Sequence, residues 1–143
     1  MKLKVHHIGY AVPTIDGARA EFEALGWTAC GGVTDDLERK VRIQFLHLGK
    51  EVIELVAPLT DDSPIRKTLQ KGNGTPYHIC YEVESLDEAE SELRAMRFIV
   101  FKKASPAPAI GMRRVEWFYS RNNGIIELVE KKEKIRCNDE DRK

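Results

Sequence analysis

HIGYAVPTIDGARAEFEALGW at residues 7–27 and HICYEVESLDEAESELRAMRF at 78–98 lie on each other without a gap. Eight of the paired positions are identical, among them His7/His78, Ile8/Ile79, Tyr10/Tyr81, Val12/Val83, Asp16/Asp87 and Glu21/Glu92. A second match follows in each half, VIELV at 52–56 against IIELV at 125–129. The chain is therefore a tandem duplication, and each copy is one supersecondary unit that needs its neighbour to bury a continuous core.

Within a copy the pattern reads strand, helix, then three strands. Alternating apolar residues in KVHHIGYAV and YHICYEV mark the opening strands. Amphipathic stretches follow at 16–26 and 87–96, with Asp16 and Asp87 as expected helix N-caps. Short strands are expected around 28–33, 40–48 and 51–57, and again around 98–103, 113–120 and 124–130. The predicted class is α+β, built from two βαβββ modules. Module one spans 1–58, a linker with a short helix begun by Ser63 and Pro64 spans 59–74, and module two spans 75–130. ASPAPAIG at 104–111 reads as a loop, and 131–143 as a charged C-terminal tail.

The length of 143 residues suits one domain with a real core. Lys plus Arg equals Asp plus Glu at 23 each, so no basic field favours nucleic acid, and a small-molecule partner is expected. The three cysteines, Cys30, Cys80 and Cys137, are odd in number and widely spread, which fits a reducing compartment rather than a disulfide framework. MKLKVHH has none of the features of a signal peptide, and no apolar run approaches bilayer length. A cytoplasmic protein with no membrane partner is the expectation.

Glu54 and Glu127 are the anomaly. Each sits inside an apolar strand, where an ionised carboxylate is costly unless something compensates it. Duplication pairs each glutamate with a histidine, and packing the two modules about a pseudo-two-fold axis would bring His7, Glu54, His78 and Glu127 to one point. Two imidazoles and two carboxylates suit a single divalent transition ion, and the donor set admits nickel, cobalt, manganese, zinc or iron. His6 precedes a ligand candidate by one residue, so strand alternation turns it away from that point. Cys80 shares the face of His78 and is expected to be small buried packing.

At these residues the sequence resembles the vicinal oxygen chelate superfamily, the paired βαβββ metalloenzymes that include glyoxalase I, methylmalonyl-CoA epimerase, extradiol dioxygenases and fosfomycin-resistance proteins. The resemblance covers about residues 4–130. It is strongest to the methylmalonyl-CoA epimerase branch, where HHIGYAV, ELVAPLTDDSPIRKTLQKG, YHICYEV and GIIELVE recur in this order. It implies a curved, barrel-like mixed sheet, one bound divalent metal with His7, Glu54, His78 and Glu127 as ligands, and a homodimer. It also implies an isomerase or epimerase that abstracts a proton next to a carbonyl or thioester through a metal-stabilised enediolate, with Glu127 or Glu54 as base. The substrate class would be an acyl-CoA thioester. Glyoxalase I, acting on a thiol hemithioacetal, is the alternative because bacterial forms share the His, Glu, His, Glu set. Ala11 stands where that enzyme carries an arginine for a glutathione carboxylate. A non-catalytic small-molecule-binding member is a further alternative.

Overall fold

The computed structural model describes residues 1–69 and 72–132. Module one consists of β1 (Lys4–Ala11), α1 (Ile15–Ala24), β2 (Thr28–Asp36), β3 (Val41–Leu48) and β4 (Glu51–Pro58). Module two repeats the order with β5 (Thr75–Val83), α2 (Leu86–Ala95), β6 (Ile99–Ala107), β7 (Arg113–Ser120) and β8 (Gly124–Glu130). All eight strands form one mixed sheet in the order β2-β3-β4-β1-β5-β8-β7-β6. In each module the first strand runs parallel to the last, and β1 meets β5 antiparallel at the centre. The result is a curled half-barrel with its two helices on the outer face.

Alternation along the strands sorts the residues between the two faces. Ile53, Leu55 and Ala57 of β4 turn outward and pack with Val12, Ile15 and Leu46 against α1. Val83, Phe118, Ile126 and Leu128 do the same beneath Leu86, Ala89 and Leu93 of α2. Leu46, Leu55, Phe118 and Leu128 are completely excluded from water, each contributing roughly 1.5–3 kcal/mol of transfer free energy. Glu54 and Glu127, one residue out of phase, consequently point to the inner face.

Several local expectations are corrected. The helices are capped not by Asp16 and Asp87 but by Thr14 and Ser85, whose hydroxyls accept from the Gly17 and Glu88 amides. The two aspartates instead occupy the first turns, where the helix dipole favours negative charge. Beyond the helices, Gly26 and its counterpart Arg97 both adopt a left-handed backbone (φ 106° and 68°), a conformation glycine takes freely and arginine only with strain. Ser63 does open the linker turn, but Pro64–Lys67 is a 3-10 helix and the serine hydroxyl caps nothing. The segment read as a loop at 104–111 extends β6 to Ala107 before a 3-10 turn at Pro108–Ile110. The tail expectation falls mostly on 133–143, and Cys137 with it, outside the described residues.

Candidate metal centre

Two β-bulges decide what faces the inner floor of the sheet. Between β1 and β5 the register runs Val5↔Tyr81 and then His7↔Cys80, so His6 is the extra residue; it runs Gly9↔His78 and then Tyr10↔Pro76, so Tyr77 is the extra residue. A bulge breaks alternation and re-aims side chains. Here one bulge immediately precedes each duplicated histidine. His6 stays clear of the point where the glutamates meet, as expected, but it does not leave its neighbour: its Nδ1 lies 2.8 Å from Nδ1 of His7. The equivalent residue, Tyr77, meets the His78 ring edge-on at 4.4 Å between centroids and lines the inner cavity.

The two histidines and two glutamates converge. His7 Nε2 is 3.2 Å from His78 Nε2, 3.3 Å from Glu127 Oε1 and 3.6 Å from Glu54 Oε1. His78 Nε2 is 3.7 Å from Glu54 Oε1 and 3.6 Å from Glu127 Oε1. All four are buried, His7 to 1 % exposure and Glu54, the most exposed, to 7 %. Glu54 stands opposite Gly9 and Phe45, and Glu127 opposite their equivalents Cys80 and Trp117. Each aromatic supports its own module's histidine edge-on, Phe45 on His7 at 5.2 Å and Trp117 on His78 at 4.8 Å.

The imidazole–carboxylate separations are long for hydrogen bonds, and Glu127 Oε1 has no hydrogen-bond partner although it is buried. They suit an ion instead. Bonds of about 2.1 Å to one centre place neighbouring nitrogen and oxygen donors roughly 3 to 3.4 Å apart, a window that the His7–His78 and His7–Glu127 separations meet and that the other three exceed by a few tenths of an ångström. The electrostatics agree: burial alone would lower the His7 pKa, but the carboxylates of Glu54 and Glu127 push it up to about 10. Burial would raise Glu127, yet the His7 and His78 imidazoles hold it well below the usual carboxylate range. Without a cation the cluster must recruit a proton to offset its own negative charge. The donor set thus fits a divalent ion.

Glu54 and Glu127 of the cluster line a cavity of about 430 Å³ together with Tyr77, Trp117, Ile43 and Lys102. Arg39, from the turn between β2 and β3, also lines this cavity. Arg39 Nη1 donates to Asp36 Oδ2 (3.0 Å) and to the Pro106 carbonyl (3.0 Å), while Nη2 donates to Ser105 Oγ (2.6 Å). The edges of the two modules are so joined. Tyr77, Phe45 and the Arg39 clasp escaped the sequence reading, since bulges and contacts between edge strands leave no local signal. Gln44 turns outward, taking a hydrogen bond from Arg19 and donating one to the Gly31 carbonyl. Arg113 and Arg114 are engaged by Glu82 and Glu130. Cys80 is completely buried, and burial pushes its thiol pKa up.

A curled sheet of paired βαβββ modules around a His/Glu cluster defines a class, and the sequence matches it. Residues 6–115 fit the family described as the Glyoxalase/Bleomycin resistance protein/Dioxygenase superfamily, to which this chain belongs. Among its relatives is the ethylmalonyl-CoA/methylmalonyl-CoA epimerase of Cereibacter sphaeroides, 34% identical over 87% of this chain and 96% of that protein. The mitochondrial methylmalonyl-CoA epimerase of Bos taurus is 29% identical over 89% of this chain and 73% of the relative. The methylmalonyl-CoA epimerase of Mycobacterium tuberculosis superposes with a TM-score of 0.76 at 25% identity, covering 90% of this chain and 87% of the other. A hypothetical protein from Bacillus halodurans C-125 reaches 0.81 at 29% identity, covering 96% and 100%.

Proposed function

We propose that the chain is a metal-dependent epimerase acting at the carbon next to a thioester carbonyl, of the methylmalonyl-CoA epimerase type. One observation carries the reading: Glu54 and Glu127, from opposite modules, both approach the His7–His78 pair and both line the same cavity. Relatives named as epimerases of methylmalonyl-CoA and ethylmalonyl-CoA support it. His7, Glu54, His78 and Glu127 would hold the ion. When bound, a divalent ion supplies Lewis-acid stabilisation of the negative charge that builds on the carbonyl oxygen.

The chain's own groups do the rest. Epimerisation needs a proton removed from one face of the carbon and returned to the other. Glu54 on β4 and Glu127 on β8 stand in opposite modules. The one that leans from the ion as a carboxylate takes the proton; the other, entering the turnover as the carboxylic acid, returns one to the opposite face, and the two exchange protonation states. Ile43, Val56 and Trp117 wall the cavity with apolar surface and exclude competing water. Tyr77 faces the same space.

Ala11 bears on the glyoxalase alternative. It is fully buried against Val41, Ile43, Val56 and Ile65, a position with no place for a cation to hold a glutathione carboxylate. No helix among the described residues is long and apolar enough to cross a membrane. The proposal includes residues 1–130 as one domain and a cytoplasmic homodimer, the latter tested by sedimentation of the purified protein.

Incubation with one epimer of methylmalonyl-CoA in deuterium oxide tests the function. The expected result is the opposite epimer carrying deuterium at the carbon beside the thioester. Formation of a hydroxyacyl thioester from methylglyoxal and a thiol, with no reaction of the acyl-CoA, would replace this reading by the glyoxalase one.

A further inference from the structure

Two structurally equivalent histidines at the candidate metal centre are held in different ways. Nδ1 of His78 is buried and has no hydrogen-bond partner; its ring is kept in place by Tyr77, by Trp117 and by the bare backbone at Gly9. Nδ1 of His7 instead meets Nδ1 of His6 at 2.8 Å, with the two rings edge-on at 5.1 Å between centroids. The bulge that places His6 there breaks the strand's alternation, at a cost in ladder hydrogen bonding.

We infer that His6 is a positioning residue, accepting a hydrogen bond from Nδ1–H of His7 and so turning the Nε2 lone pair of His7 towards Glu54, His78 and Glu127. The inference rests on the metal-site reading above. A proton shared between the two Nδ1 atoms can belong to either ring. Were it His6's, His7 would carry its own proton on Nε2, against His78 Nε2 at 3.2 Å, with no lone pair left for an ion. Placed on His7, it leaves Nε2 free and orients the ring, the usual outer-shell device for a ligating imidazole. His6 then carries its proton on Nε2. It is half-buried and lines a separate cavity with Lys4, Cys30 and Glu82, where water can serve that nitrogen. His7 is thus the anchored donor of the pair and His78 the one fixed by packing alone.

The test uses zinc, a diamagnetic probe, with the ¹⁵N-labelled full chain. In the zinc-loaded protein the expected spectrum shows a proton bonded to His7 Nδ1, with scalar coupling across the hydrogen bond to His6 Nδ1. In competition with a chelator, His6→Ala is expected to bind zinc about tenfold to a hundredfold more weakly, and His6→Asn, whose Oδ1 can accept the same proton, to recover most of that loss. Coupling in the parent decides the matter even if His6→Ala fails to fold. Absence of the coupling overturns the inference, as does parental zinc affinity in folded His6→Ala. So does a second zinc equivalent held by His6, His7 and Cys80, whose donor atoms lie within 4.8 Å of one another. If the parent takes up no zinc, the metal-site reading falls, while the coupling in zinc-free protein still reports whether His6 holds His7.

Discussion

The imidazole of His78 lies directly over Gly9 on the neighbouring strand: a Cβ at Gly9 would stand 1.9 Å from Cε1 and 2.1 Å from Nδ1 of His78. Backbone and ring touch only because position 9 has no side chain, whereas the equivalent position in module two carries Cys80. Gly9→Ala must therefore displace His78 from the cluster. The expected cost is about 1–3 kcal/mol of stability from overpacking, with loss of metal uptake. Chemical denaturation together with metal content reads both, and an alanine variant of parental stability would sink the argument.

Glu54 and Glu127 are expected to separate exchange from inversion. Replacing either by glutamine keeps its shape and removes the base, lowering the inversion rate by about 10²–10⁴-fold. The variant that retains the base keeps washing deuterium into the epimer it can attack, without forming the other. Following each pure epimer by chiral analysis and mass spectrometry assigns the two faces. Equal, undiminished inversion in both variants would refute a role for this pair.

Glu116 offers a pH test away from the site. It lies 1 % exposed on β7, facing Glu90 of α2, and burial together with the neighbouring Glu90 carboxylate raises its pKa from 4.5 to about 7. The folded chain then holds a proton that the unfolded chain releases. Its stabilising share is complete below about pH 4.5 and is lost as pH rises to about 7, at up to roughly 1.4 kcal/mol per pH unit. Glu90 is opposite in sign. Ion pairs with Lys103 and Arg94 lower it to about 2, so its contribution is present above pH 4.5 and lost as pH falls towards 2. Glu116→Gln, which can donate to Glu90 at every pH, should flatten the stability curve between pH 4.5 and 7 and raise Tm at pH 8. An unchanged slope would contradict this account.

Arg39→Ala leaves Asp36, buried at 2 % exposure, without its guanidinium partner, with only the backbone amide of residue 39 still donating to it, and removes the link to Ser105 and Pro106. Breaking a buried pair in this way costs about 3–5 kcal/mol. Asp36→Asn combined with Arg39→Met should cost less than Arg39→Ala alone. Urea unfolding of both variants checks the order.

The duplication made most of the architecture legible, because equivalent residues in two copies report each other's environment. Glu54 alone reads as a misplaced edge residue; paired with Glu127 and two histidines it reads as part of a centre. Helix starts were readable in principle, since Ser85-Leu-Asp-Glu88 is a capping box that outranks Asp87. The contact of His6 with His7 and the placing of Tyr77 were not readable. Each depends on one unpaired residue in a register between strands about seventy positions apart, and alternation within a single strand cannot register it. Arg39 was hidden for a related reason, two of its partners, Ser105 and Pro106, lying on the far edge of the sheet.

Cobalt(II) titration of the purified chain, followed by visible absorption and elemental analysis, bears most directly on the convergence of His7, Glu54, His78 and Glu127. One equivalent bound per chain is expected, with the band lost in His78→Ala and altered in Glu54→Gln and Glu127→Gln. A folded chain that takes up no cobalt, or one whose spectrum is indifferent to all three substitutions, would contradict the account.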